Sequence, residues 1–319
     1  MEDSAMVVKS LFVYPVKSCK GIEIDAAAIC PTGFRWDRHW LVVNDRGRML
    51  TQRVEPKLAL IQPIMPPELF TAPLQSLPAN SSVCKQKEHK KKRTYSFFFV
   101  AFQAPGMETT LQVPLFGSKE KVHASVWEWS GVALDEGTAA HKWFSAYLGR
   151  TCHLVRLDPA AMERPTDTEY ADGYKASFTD GFPFLVASQA SLDAVNKRLR
   201  NQLPMNRFRP NIIVEGCEPF AEDTWRTFKI KDLTFHGVKL CSRCKIPTIN
   251  QETTEMGAEP TLTLMEFRKG EMLCAVQSVK NKVFFGQNAV CVESMAKKNE
   301  LVRVGDPVRV EETLQVPSV

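Results

Sequence analysis

Strand-forming sequence occupies both ends of this chain and helix-forming sequence only its middle, an order that limits the fold more than any single motif does. At the start, Ser10-Leu11-Phe12-Val13-Tyr14-Pro15-Val16 is rich in β-branched and aromatic residues. His39-Trp40-Leu41-Val42-Val43 then runs into Asn44-Asp45-Arg46-Gly47, a hairpin turn in which Gly47 is free to take positive φ. The segments 211–214, 228–231, 233–235, 302–304 and 308–310 read as strands on the same grounds. Between the two groups, Asp135 stands where it would cap a helix whose Ala139, Ala140, Trp143, Phe144 and Tyr147 share a face, closed by Gly149. Ser188 would cap a second helix with Leu192, Val195 and Leu199 on one side. The strand-helix alternation of a doubly wound parallel sheet is missing. The pattern predicts an α+β protein with β-barrel-like parts.

At 319 residues and 44% apolar content the chain has enough material for a large core. Its nine cysteines are odd in number and show no repeating spacing, which predicts a reduced intracellular setting rather than a disulfide scaffold. The acidic opening Met1-Glu2-Asp3-Ser4 resembles neither a signal nor a transit peptide. The longest apolar run, 97–102, falls far short of the roughly 18 residues a bilayer span needs. A cytoplasmic protein without a transmembrane segment is therefore expected, with mitochondrial association left open. The net charge of +5 lies entirely in the run 85–93, where six Lys/Arg face only Glu88. The rest of the chain is neutral, which argues against nucleic acid or membrane as a partner. That run belongs to a surface insertion at about 83–103, whose 97–102 stretch would form either a strand or an exposed sticky segment. No Gly-x-Gly-x-x-Gly or Walker sequence is present to bind a nucleotide phosphate.

Chemistry concentrates in Leu240-Cys241-Ser242-Arg243-Cys244-Lys245-Ile246-Pro247-Thr248. Cys244 lies between two cations, which favour its thiolate, the form that ligates metals. A structural zinc site would need two further ligands at suitable spacing, and a thioredoxin-like pair would need a helix start where Pro247 and Thr248 stand. A third alternative is a single thiolate on a soft metal carried by an organic cofactor, whose anionic groups need cations and amides elsewhere. Lys17-Ser18, Asp37-Arg38 and Arg207-Phe208-Arg209-Pro210-Asn211 are candidates, Arg209 the best of them because it is fixed by Pro210 at the entry to an apolar strand.

The ordered set Tyr14-Pro15-Val16-Lys17-Ser18-Cys19-Lys20-Gly21, Asp37-Arg38-His39-Trp40-Leu41-Val42, Phe208-Arg209-Pro210-Asn211-Ile212, Ala221-Glu222-Asp223-Thr224-Trp225 and Cys241-Ser242-Arg243-Cys244 resembles the MOSC family, and within it the amidoxime-reducing enzymes. The resemblance implies a β-barrel-rich MOSC fold, with an N-terminal β-barrel domain at 1–125 and the MOSC domain at 150–312. It also implies a molybdenum cofactor with Cys244 as the protein ligand to the metal. Lys17, Ser18, Arg38, Arg209, Asn211, Ser242 and Arg243 match positions that contact the pterin or its phosphate. The implied activity is reduction of N-hydroxylated compounds (amidoximes, hydroxylamines and N-hydroxylated bases) and of nitrite. Cytochrome b5 and its NADH-dependent reductase would supply the electrons. The alternative is a cofactor-binding carrier, like the corresponding portion of molybdenum cofactor sulfurase.

Two departures stand out. Where the animal enzymes carry Asp-Thr-Ser-Pro-Phe-Leu, this chain has Asp180-Gly181-Phe182-Pro183-Phe184-Leu185, which loses two hydroxyls and keeps Asp180 as a candidate proton-handling group. Asn288 stands where those enzymes place a tyrosine.

Overall fold

A computed structural model describes residues 5–73, 99–117, 119–160, 164–274, 276–295 and 299–319. Its spine is an eight-stranded sheet. From one edge to the other it runs Val308–Thr313, Trp225–Ile230, Leu233–Ser242, Phe284–Cys291, Phe184–Ser188, Ile212–Glu215, Val7–Val13 and Ile22–Ile24. All neighbours are antiparallel except Phe184–Ser188 with Ile212–Glu215. The fold class is α+β and sheet-rich, as the strand-helix-strand order of the sequence predicts.

The first strand does not stay with its sequence neighbours. Leu11 pairs with Ile212 and Val7 with Glu215, so the start of the chain is stitched into a sheet built mostly from its last third. Ala26–Cys30 likewise pairs with Leu301–Arg303, and Trp40–Val43 pairs with His153–Leu157. Both faces of Trp40–Val43 and of Phe184–Ser188 are covered, so their apolar runs are continuous rather than alternating and every residue of both is buried. Aromatic rings link strands of the eight-stranded sheet to one another and to Phe34 of Gly33–Phe34. Phe34 meets Phe184 edge-on at 5.0 Å, Phe184 meets Phe235 edge-on at 5.4 Å, and Phe235 stacks on Phe228 at 5.4 Å. All four are essentially excluded from solvent, each contributing about 1.5–3 kcal/mol by burial.

The sequence reading holds for most elements and errs in identifiable places. Ser188 does cap the helix Gln189–Asn196, its hydroxyl accepting from the Ser191 amide at 3.0 Å, but Leu199 falls beyond the helix. The helix Thr138–Leu148 buries Ala140, Trp143 and Phe144 and ends at Gly149 with φ 70°. Its cap is Gly137, not Asp135: Asp135 is the last residue of the strand Trp129–Asp135, paired with Val155. The ladder holds the Asp135 backbone extended, so the helix cannot begin until two residues later. The turn at Asn44 forms, with the Asn44 side chain accepting from the amides of Arg46 and Arg48, each at 3.0 Å. Its hairpin is reduced to the single Val43–Met49 bridge, because Trp40–Val43 pairs with a distant strand instead. The basic run 85–93 lies outside the described residues. Phe99–Gln103, at the end of the expected insertion, is the central strand of a three-stranded sheet between Gln62–Ile64 and Leu111–Pro114. Its Val100, Ala101 and Phe102 are buried, so this stretch is core, not an exposed segment.

Candidate functional site

Strand directions bring distant sequence to one place. Val7–Val13 is antiparallel to Ile212–Glu215, which is parallel to Phe184–Ser188, so the end of the first strand lies beside the beginnings of the other two. Lys17 and Ser18 follow the first strand, Arg209 and Asn211 precede the second, and Asp180 precedes the third. Arg38 leads into Trp40–Val43, and Cys241 to Cys244 end the Leu233–Ser242 strand and leave it. Lys17, Ser18, Arg38, Asp180, Arg209, Asn211, Ser242, Arg243 and Cys244 line one half-open cleft, enclosing about 810 Å³ counted out to its mouth, while the candidates Asp37 and Arg207 do not line it.

Tyr14 is the pivot of the cleft wall. Its ring is buried and has the Arg38 guanidinium over it at 4.2 Å and the Arg209 guanidinium also at 4.2 Å. Gly21 sits beside that ring because nothing larger fits, a Cβ there coming within 2.5 Å of Tyr14 Cε1. Burial raises the Tyr14 hydroxyl to about 12 despite the two arginines, so it stays protonated. Arg38 donates to both oxygens of buried Asp37, at 2.7 and 2.6 Å, and to Asn211 Oδ1 at 3.1 Å and Arg209 O at 3.2 Å. Arg209 donates to Cys19 O at 2.7 Å. Burial lowers Arg209 to about 10, which leaves it a cation at neutral pH. Ser18, Arg38 and Arg209 all hold left-handed backbone, at φ 69°, 45° and 57°. Three such residues in one cleft wall mark a site where position takes precedence over local strain.

Opposite them, Lys17 Nζ donates to Phe178 O at 2.9 Å and to Asp180 Oδ1 at 2.6 Å. Burial brings its ammonium down to about 8, with Asp180 opposing that shift. Crowding works against the charge on Asp180, but its side chain is 59% exposed and water offsets that cost. Lys17 first, then Arg53 and the Trp127 indole N–H, hold its carboxyl well below the ordinary range. The pair is an ion pair at neutral pH.

The two thiols differ. Cys241 accepts from Arg243 Nη1 at 2.8 Å, yet burial outweighs that guanidinium and pushes its thiol up. Cys244 Sγ instead accepts from the Ile246 amide at 3.4 Å, while Arg243 Nη2 is anchored on Phe208 O at 2.8 Å. Around the cleft, Arg53 Nη1, Arg243 Nε and Thr179 Oγ1 are buried polar atoms with no partner among the described residues. The lining holds five cations (Lys17, Arg38, Arg53, Arg209 and Arg243) against one carboxylate, Asp180. Such a surface is built to receive an anion.

Residues 5–151 match the MOSC N-terminal beta barrel domain and residues 173–309 match the MOSC domain. This chain belongs to the MOSC family. Among its MOSC relatives, mitochondrial amidoxime-reducing component 1 of Mus musculus is 30% identical over 311 residues, covering 94% of this chain and 81% of the mouse protein. Mitochondrial amidoxime reducing component 2 of Rattus norvegicus is 31% identical, covering 94% of this chain and 82% of that protein. Molybdenum cofactor sulfurase of Arabidopsis thaliana is 29% identical, covering 88% of this chain but only 32% of that much longer protein.

The two departures noted in the sequence both lie in the cleft wall of this MOSC chain. Phe182 lines the cleft and meets Tyr170 edge-on at 6.4 Å, an apolar contact. Asn288 keeps a polar group at the cleft and donates to Lys239 O at 3.1 Å.

Three residues escaped the sequence reading. Arg53 lies 4.6 Å over the Trp127 ring and 4.0 Å from Asp180, and Trp127 donates to Asp180 at 3.0 Å. Buried Arg164 pins the segment carrying Asp180, donating to the carbonyls of Ser177 at 2.5 Å, Thr179 at 2.8 Å and Asp180 at 3.2 Å. The only sequence signal was Trp127-Glu128 between two alternating runs, without the Gly or Asn that usually marks such a turn. Among the described residues no helix is long and apolar enough to cross a membrane.

Proposed function

We propose that this chain is a molybdenum-cofactor-dependent reductase of N-hydroxylated compounds (amidoximes, hydroxylamines and N-hydroxylated bases) and of nitrite. The observation that carries the proposal is the cleft itself: five cations and three buried polar atoms without a partner among the described residues surround the opening onto which Cys244 faces. An anionic pterin phosphate fits that lining, and a soft metal fits a thiolate ligand from Cys244. Lys17, Ser18, Arg38, Arg209, Asn211, Ser242 and Arg243 would hold the pterin and its phosphate. The names of the mouse and rat relatives, amidoxime-reducing, support the substrate class. When bound, the cofactor supplies the two-electron chemistry that cleaves an N–O bond, with two protons taken up and oxygen leaving as water. The electrons come singly from cytochrome b5 and its NADH-dependent reductase.

We assign proton handling to the Lys17–Asp180 pair rather than to Asp180 alone. At neutral pH Asp180 is already ionised, and Lys17 is the protonated member. An ammonium has three N–H donors; Phe178 O and Asp180 take two, leaving one for the cleft. Lys17 also carries charge that holds the cofactor, and this has a pH consequence. The amine of the free protein loses its proton near pH 8, a bound anion raises that value, and retention should therefore weaken on the alkaline side. Molybdenum retained after dialysis is expected to fall between pH 7 and pH 9 in the parent protein and to stay level in Lys17→Arg. Equal retention curves would remove Lys17 from the cradle.

The match to molybdenum cofactor sulfurase supports a second reading, a cofactor carrier without turnover of its own. Molybdenum-loaded protein given NADH, cytochrome b5, its reductase and benzamidoxime separates the two. Formation of benzamidine is expected. No turnover, with the electron-transfer partners shown to be active, would leave the carrier.

A further inference from the structure

Trp127 has no role in the proposal above, yet it is held over the cleft in a way that packing does not explain. It occupies the first turn position of the hairpin joining Lys121–Val126 to Trp129–Asp135, where Val126 pairs with Trp129 and only Trp127 and Glu128 lie between. Its φ is 54°, a left-handed conformation that two-residue hairpins normally give to glycine, asparagine or aspartate. A bulky aromatic at such a position is an outlier, and outliers of this kind gather at functional sites. Nor is the ring buried in compensation, since 41% of the residue is exposed.

Two contacts fix it. The Arg53 guanidinium lies 4.6 Å from its ring centroid, and the indole N–H donates to Asp180 Oδ1 at 3.0 Å. So held, Trp127 lines two adjoining parts of the cleft mouth, one shared with Cys244 and Lys282, the other with Cys241 and Asn288. Asp180 borders both of these and the cleft interior as well. A flat group approaching Cys244 therefore passes the indole.

We propose that Trp127 is a selectivity platform, on which substrates with a planar conjugated ring lie as they enter. The inference rests on the reductase reading and deepens it: Trp127 sets a preference for aryl over small aliphatic N-hydroxylated compounds. Arg53 is a positioning residue that fixes the indole by covering part of its surface. Stacking on an indole is worth about a tenfold gain in kcat/KM for an aryl substrate and little for one without a ring.

The test compares benzamidoxime with acetamidoxime in molybdenum-loaded protein, using parent, Trp127→Ala and Trp127→Phe, with molybdenum content as the check on cofactor loading. Trp127→Ala is expected to lower kcat/KM about tenfold for benzamidoxime and less than about threefold for acetamidoxime. Trp127→Phe, which keeps a ring and loses the N–H, is expected to retain most of the preference. Equal losses on both substrates would overturn the platform, as would a Trp127→Phe variant as impaired as Trp127→Ala, since the indole would then be only a latch on Asp180. Should the loaded parent protein turn over neither substrate, the reductase reading has failed. The platform is then read by calorimetric binding of benzamidoxime, where parent and Trp127→Ala binding with equal affinity would overturn it.

Discussion

Cys244→Ala should abolish turnover and change the paramagnetic signal of the molybdenum centre while the far-ultraviolet circular dichroism stays that of the parent. Loss of a group that merely orients a metal ligand costs about 10–100-fold, so loss of the ligand itself should exceed a hundredfold. Cys241→Ala should cost less than about tenfold. The difference follows from the surroundings of the two sulfurs, three residues apart. Burial pushes the Cys241 thiol up, so at neutral pH it keeps its proton and is a poor ligand, and Arg243 spends one guanidinium nitrogen on it. Arg243 remains anchored on Phe208 O when Cys241 is cut back, so the cradle survives. Cys244 Sγ accepts from the Ile246 amide at 3.4 Å and borders the open mouth of the cleft. Equal loss from both substitutions, in activity and in spectrum, would mean that the thiols act as a couple and that the assignment of Cys244 as sole ligand is wrong.

Arg209→Glu should empty the cleft of both molybdenum and pterin, measured as metal and released pterin per protein. Arg209 is 8% exposed, lies over the Tyr14 ring at 4.2 Å and is tied to Cys19 O at 2.7 Å. One charge-assisted hydrogen bond to a phosphate is worth about 1.5–3 kcal/mol, roughly 10–100-fold in affinity. Reversing the sign adds repulsion to that loss, and the new carboxylate would also claim Arg38, leaving the wall with two fewer cations for the ligand. Arg209→Lys keeps the charge without the planar stack on Tyr14 and should fall between. Full occupancy in Arg209→Glu would remove Arg209 from the cofactor site and weaken the whole cradle, since Arg38 is held by the same ring.

Much of this site could be read before the fold was known, for two different reasons. Cys244 between Arg243 and Lys245, and Arg209 before Pro210, announce themselves through local chemistry. Lys17, Ser18 and Asn211 are ordinary residues in isolation, candidates only as cations and amides able to hold an anionic group, and the family resemblance gave them a role. What stayed hidden depends on long-range geometry. Arg53 matters because it lies over Trp127, and nothing in Thr51-Gln52-Arg53 points to a hairpin tip more than seventy residues later. The cap of Thr138–Leu148 was misplaced because the ladder to Val155 holds Asp135, a constraint that no local propensity encodes. Phe99–Gln103 looked like part of an insertion because its flank is so irregular. It is core because Gln62–Ile64 and Leu111–Pro114 supply edges on both sides.

The pairing of Val7–Val13 with Ile212–Glu215 has a consequence for how the protein is made. A chain emerging from the ribosome presents its first strand with only the short Ile22–Ile24 strand beside it until some two hundred further residues supply Ile212–Glu215. The wall carrying Cys241 to Cys244 comes later still, and the Val308–Thr313 edge strand last of all. Lys17, Arg38 and Tyr14 are therefore synthesised long before the arginine and thiol that complete their surroundings. The cleft has no nascent precursor, so a ligand of this cleft would have to enter the finished fold. Cutting the chain between the two family-matched segments would not yield two free domains. It would leave two fragments, one holding two strands of the shared eight-stranded sheet and the other six.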